Sequence, residues 1–137
     1  DGQRILNWKQ LYQIGELPEH MIVVGSGVTG AEFASAYLDL GCKVTLISSR
    51  AKVLPGNDAE AADLIEQVFD QRGMQILRES RASSVKNLGD SVEVTLADGK
   101  VISGSHCLMA VGAIPNTQDL GLELEPTTLK DVKWIMF

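Results

Sequence analysis

Six residues constrain this chain more than any others: Gly25-Ser26-Gly27-Val28-Thr29-Gly30. What flanks them gives them meaning. Met21-Ile22-Val23-Val24, just before, is an unbroken apolar run of the kind buried on both faces of a parallel sheet. Residues 31–40 carry apolar side chains at helical spacing, and Gly41 is placed to stop that helix. Residues 43–47 follow as a second strand rich in β-branched side chains. Strand, glycine turn, helix and strand within a unit of about 30 residues form the setting in which a GxGxxG pattern reads as a dinucleotide-binding loop. Gly25 permits the tight turn, Gly27 lets backbone approach a pyrophosphate, and Gly30 lets the helix pack closely on the sheet. The free N–H groups and dipole of the helix start favour the phosphates. The plain alternative is a glycine turn with no ligand.

Downstream, residues 48–57 read as a loop. Asn57 or Asp58 caps a helix over residues 59–72 that Gly73 ends, and residues 74–77 form a third strand. The pattern then changes. Residues 83–87, 91–96 and 101–103 are short strands separated by Leu88-Gly89-Asp90 and Asp98-Gly99, which predicts an antiparallel meander. Residues 106–111 return to a buried strand ending at Gly112. Strands alternating with helices imply α/β architecture with a parallel sheet and right-handed crossovers.

Charge narrows the partners. The chain has 137 residues and a formal net charge of -6, which disfavours nucleic acid or an anionic membrane surface as partner. An anionic ligand must then be held by local features. No apolar run reaches the roughly 18 residues of a membrane span. Cys42 and Cys107 are far apart and form no metal-ligand pattern, so no metal is expected, both thiols read as buried and inert, and the compartment as a reducing cytoplasm. His20 and His106 read as solvated or strand-edge residues without a catalytic role. The opening at Asp1 and the apolar close Trp134-Ile135-Met136-Phe137 suggest cuts in a longer sequence.

The end of the second strand bears on which dinucleotide is held. An NAD-selective site usually places Asp or Glu there, for the ribose 2′-hydroxyl. Here Ser48-Ser49-Arg50-Ala51-Lys52 offers no carboxylate. Serines can hydrogen-bond a 2′-phosphate, and Arg50 and Lys52 can neutralise it, so NADPH is expected to be preferred over NADH. The alternative is a solvated basic pair and a site that takes both. The missing carboxylate also argues against S-adenosylmethionine, and against a glycine loop that serves FAD.

With Leu17-Pro18, Gly30-Ala31-Glu32, Val53-Leu54-Pro55 and Gly112-x-x-Pro115-Asn116-Thr117 in order, the chain resembles the central NAD(P)H-binding domain of the FAD-dependent pyridine nucleotide-disulfide oxidoreductases, which include dihydrolipoamide dehydrogenase and glutathione reductase. Within them it is most similar to a lipoamide-dehydrogenase-like NAD(P)H:quinone reductase branch. The resemblance implies a Rossmann-like parallel sheet with crossover helices on one side and the three-stranded meander on the other. It implies a linker over residues 1–20 from an FAD-binding region, an NAD(P)H-binding domain over 21–122, and a connection toward C-terminal regions over 123–137. Gly25 to Gly30, Ser48, Ser49, Arg50 and Lys52 are the expected cofactor contacts, with Val111, Gly112 and Ala113 as a second contact loop. Many relatives carry Arg where Ala113 stands, so one contact is expected to be lost or replaced. Glu32 matches a glutamate near nicotinamide and flavin; its plain role is a first-turn acid stabilised by the helix dipole.

The resemblance further implies hydride passing from NAD(P)H to FAD and on to a disulfide or quinone in an intact protein, a homodimer with FAD-binding and dimerisation domains. The FAD motif, the redox cysteine pair and the interface domain are not in this sequence, so the chain alone is expected to bind but not to turn over. A different reading is an NAD(H)-sensing regulatory Rossmann module without catalysis.

Overall fold

The structure, a computed structural model, describes residues 2–114. Pro115-Asn116-Thr117 and the whole 123–137 stretch lie outside the described residues. Five parallel strands make the main sheet: β1 (Ile5–Leu6), β2 (His20–Val24), β3 (Lys43–Ile47), β4 (Gln75–Leu77) and β8 (His106–Met109), in the order β1-β8-β2-β3-β4. Three antiparallel strands, β5 (Ala82–Asn87), β6 (Val92–Leu96) and β7 (Val101–Gly104), form the separate meander. The helices are α1 (Trp8–Leu11), α2 (Val28–Asp39) and α3 (Ala59–Gln71).

The continuous apolar run of β2 is explained by what covers each face. Alternate side chains of a strand point to opposite sides of the sheet. Met21 and Val23, with Val44, Leu46 and Leu108, pack with Ala31, Ala34 and Phe69 of the helices. Ile22 and Val24, with Ile47 and Cys107, pack against Val92, Val94, Leu96 and Ile102 of the meander. Helices on one side and meander on the other is the expected arrangement. Each fully buried Val, Leu or Ile of these layers contributes about 1.5–3 kcal/mol.

Local signals set most boundaries. Asp58 caps α3, accepting from the Glu60 and Ala61 N–H groups at 3.0 and 3.1 Å. Asp98 and Asn87 each accept from the N–H two residues on, at 2.9 and 2.8 Å, and so close the two hairpin loops. Three differences from the sequence reading exceed one residue. The first twenty residues, read as a linker, hold an edge strand and the short helix α1: Ile5 and Leu6 pair with Cys107 and Leu108, and Leu6 and Leu11 are buried. A two-residue strand has no readable period. Helix α2 begins at Val28 rather than residue 31, because the glycine loop itself supplies its first turn. Strand β8 ends at Met109, where its pairing with Val24 of β2 ends.

Among the described residues, no helix is long and apolar enough to cross a membrane.

Candidate functional site

The strand order turns at β2. The chain leaves β2 toward β3 and β4 on one side, while β8 and β1 occupy the other. In open α/β sheets a crevice forms at such a reversal, beyond the carboxyl ends of the strands. Here that crevice is a cleft of about 580 Å³ between the loop after β2, the loop after β3, the start of β5 and the segment after β8. Its described walls include Gly25, Ser26, Gly27, Val28, Thr29, Ser49, Arg50, Arg81, Val111, Gly112 and Ala113.

Each glycine of the loop after β2 has its own reason. Gly25 has φ +110, a conformation side chains rarely adopt, and a Cβ there would overlap the Ala110 carbonyl. A Cβ on Gly30 would overlap the Gly25 carbonyl oxygen, so this residue sets how closely α2 meets the turn. A Cβ on Gly27 would meet nothing within 4 Å, since it would project into open cleft. Gly27 is the N-cap of α2 and has no side chain to satisfy the helix start. The first intrahelical donor is Ala31, whose N–H reaches the Gly27 carbonyl at 2.9 Å. The N–H groups of the preceding turn therefore have no acceptor in the helix and border the cleft.

Beneath this loop lies a small hydroxyl network. Ser26 and Ser48 are both buried, with their Oγ atoms 2.7 Å apart. Ser48 Oγ accepts from the Arg50 N–H at 3.1 Å and donates toward the Arg50 carbonyl at 2.9 Å. Ser48, an expected cofactor contact, is fully buried and is not among the residues that line the cleft. Its hydroxyl is consumed in bracing two loops against each other. Lys52 also stands away from the cleft walls and pairs with Asp63 of α3 at 2.6 Å. Of the basic pair, Arg50 alone lines the cleft.

Glu32 is exposed on α2 and borders a different depression, a groove of about 750 Å³ between α2 and α3. Val28, one turn earlier, borders both. The groove is larger than the cleft, but its described walls include the exposed apolar side chains Leu64 and Val68 and the paired Asp39 and Arg72. It presents neither the unfilled helix start nor an unpaired arginine. The chemistry of anion binding points to the smaller cleft.

The cysteines and histidines singled out in the sequence are not among the residues lining the cleft. Cys42 and Cys107 are buried free thiols, and burial pushes both pKa values up, that of Cys107 to about 12. His20 shares a hydrogen bond with Thr45 Oγ1 at 2.9 Å. His106, the first residue of β8, is buried, 3.2 Å from Ser105 Oγ. Burial lowers both imidazole pKa values. A cleft-lining residue that the sequence did not single out is Arg81. It lies in an irregular stretch between β4 and β5 with no motif around it, and the pairing of β3 with β4 sets that stretch beside the loop of Arg50.

A family model described as pyridine nucleotide-disulphide oxidoreductase matches residues 1–131. The chain is 53% identical over 123 residues to an NAD(P)H dehydrogenase (quinone) of Mycobacterium tuberculosis, covering 90% of this chain and 25% of that protein. It is 33% identical over 127 residues to a dihydrolipoyl dehydrogenase of Zymomonas mobilis, covering 90% of this chain and 27% of that one. The crystal structure of LpdA (Rv3303c) from Mycobacterium tuberculosis superposes with a TM-score of 0.82 at 51% identity, covering 94% of this chain and 28% of that chain. The chain thus spans about a quarter of the length of the curated relatives it matches.

Proposed function

Because this chain belongs to the pyridine nucleotide-disulphide oxidoreductase family, we propose that it is the NAD(P)H-binding domain of a flavoprotein oxidoreductase, with the cleft at the ends of β2, β3 and β8 as the dinucleotide site. The observation that carries the reading is the start of α2. Its unfilled N–H groups border a cleft that a Cβ on Gly27 would enter, and the charged residues on the described walls are both arginines. Those features fit a pyrophosphate-bridged dinucleotide in a chain whose net charge is -6.

When bound, the reduced dinucleotide supplies hydride, in the whole protein for FAD and then for a disulfide or a quinone. The residues of this chain bind and orient. The Ser26-to-Thr29 backbone holds the pyrophosphate. Arg50 and Ser49 take the adenosine ribose, and the unpaired guanidinium favours the 2′-phosphate of NADPH. Val111, Gly112 and Ala113 form the far wall. Glu32, one turn beyond Val28, serves the nicotinamide end. The whole protein is a cytoplasmic homodimer in which FAD-binding and dimerisation domains adjoin this one. The relatives named above are all oxidoreductases and lend no support to a regulatory NAD(H)-sensing module.

Calorimetric titration of the 137-residue chain with NADPH and with NADH tests the reading, with Gly27→Val as control. Binding by the parent chain and its loss in a folded Gly27→Val variant is the expected result; equal binding by both chains would refute the assigned cleft.

A further inference from the structure

The dinucleotide reading leaves one charged wall of the cleft without a role. Arg81 borders the same cleft as Arg50 but comes from a different loop, the connection from β4 to β5. The two loops are neighbours because β4 pairs with β3, Leu77 beside Ile47. Three backbone bonds continue that pairing past the strand ends: Ser48 N–H to Leu77 O at 2.9 Å, Glu79 N–H to Arg50 O at 3.1 Å, and Ser80 N–H to Ser48 O at 2.8 Å. Between them Glu79 takes the left-handed conformation, φ 50, unusual for a residue with a side chain. The connection that carries Arg81 is thus held to the loop that carries Arg50.

The surrounding charges separate these two arginines from their neighbours. Arg78, three residues before Arg81, donates to Glu66 and Asp70, both at 3.1 Å. Lys52, two residues after Arg50, pairs with Asp63. Among the described residues, neither Arg50 nor Arg81 has a side-chain ion pair, and no carboxylate lines the cleft. Two exposed guanidiniums without ion pairs on the walls of one cleft are placed to share an anion of high charge density. The end of β3 is where a doubly wound sheet receives the adenosine ribose. A phosphate monoester on that ribose accepts from more than one guanidinium, a geometry that arginine serves better than lysine.

We propose that Arg81 is a second arginine of the adenosine 2′-phosphate subsite, acting with Arg50 from the adjoining loop so that discrimination between NADPH and NADH is shared by the two. The inference rests on the dinucleotide reading of the cleft and adds to it a residue and a subsite.

The test uses fragments that differ by that phosphate alone. The 137-residue chain and its Arg81→Ala and Arg81→Lys variants are titrated calorimetrically with adenosine 2′,5′-bisphosphate and with adenosine 5′-monophosphate. The parent is expected to prefer the bisphosphate. Arg81→Ala is expected to lower that preference roughly tenfold or more, the range of a lost charge-assisted hydrogen bond, with monophosphate binding unchanged. Arg81→Lys is expected to restore part of it. A preference unchanged in Arg81→Ala, or equal weakening of both nucleotides, would overturn the role of Arg81. Equal binding of both by the parent would overturn the 2′-phosphate subsite and leave the dinucleotide cleft standing. Binding of neither by the parent would overturn the cleft reading itself, and the inference with it.

Discussion

The hydroxyl oxygens of Ser26 and Ser48 lie 2.7 Å apart beneath the cleft, joining the glycine loop after β2 to the loop after β3. The two residues that a motif search would list as ligand contacts are thereby turned toward each other. Ser48→Ala should lower stability by about 1–3 kcal/mol in urea denaturation, because Ser26 Oγ and the Arg50 N–H lose a buried partner. It should leave the ratio of NADPH to NADH affinity within about twofold, since the alanine removes a brace and no phosphate ligand. A selective collapse of NADPH binding would show that Ser48 reaches the 2′-phosphate after all.

Arg50→Glu is the complementary change. It puts a carboxylate where the ribose is expected and removes one unpaired cation from the cleft. NADPH affinity should fall by roughly tenfold or more, the loss of a charge-assisted contact plus like-charge repulsion, while NADH affinity changes far less. Parallel titrations with the two dinucleotides read this directly, and equal losses would count against a ribose-phosphate role.

Gly27 and Gly30 should fail in different ways. Gly30→Ala forces a methyl group into the Gly25 carbonyl, which is backbone and cannot swing aside. Overpacking of this kind costs about 1–3 kcal/mol, so the melting temperature should drop along with binding. Gly27→Ala meets no atom of the chain and should melt close to the parent while losing affinity. A stable Gly30→Ala variant that binds normally would contradict the close-packed turn.

Stability should fall as pH is lowered through 6.5 and below. His20 and His106 are each lowered from 6.5 by burial. The unfolded chain therefore binds more protons than the folded one between the lowered values and 6.5, and folding is penalised as pH falls through that window. Thermal melts across the range should show the slope, and a His20→Gln, His106→Gln double variant should flatten it.

Much of the architecture was legible because it is periodic or punctuated. Residues 21–24 and 43–47 announced strands by continuous apolar and β-branched runs, and Asp58, Gly41 and Gly73 marked helix ends. The meander showed in Asp98-Gly99 and Leu88-Gly89-Asp90. What was not legible came from distant packing. Ile5–Leu6 is a strand only because β8 offers it an edge. Ser48 is buried because Ser26 and the β4 connection close over it, and Lys52 is diverted by Asp63 on a helix eleven residues on. Arg81 enters the cleft through the pairing of β3 with β4, which no local pattern records.

Amide chemical shifts followed during an NADPH titration would locate the dinucleotide on the chain residue by residue. With the dinucleotide in the cleft, the largest changes should fall on Ser26 to Gly30, with smaller ones at Arg50 and Gly112. Changes centred instead on Leu64, Val68 and Arg72, in the larger groove between α2 and α3, would contradict that placement, as would a folded chain whose spectrum does not respond to NADPH at all.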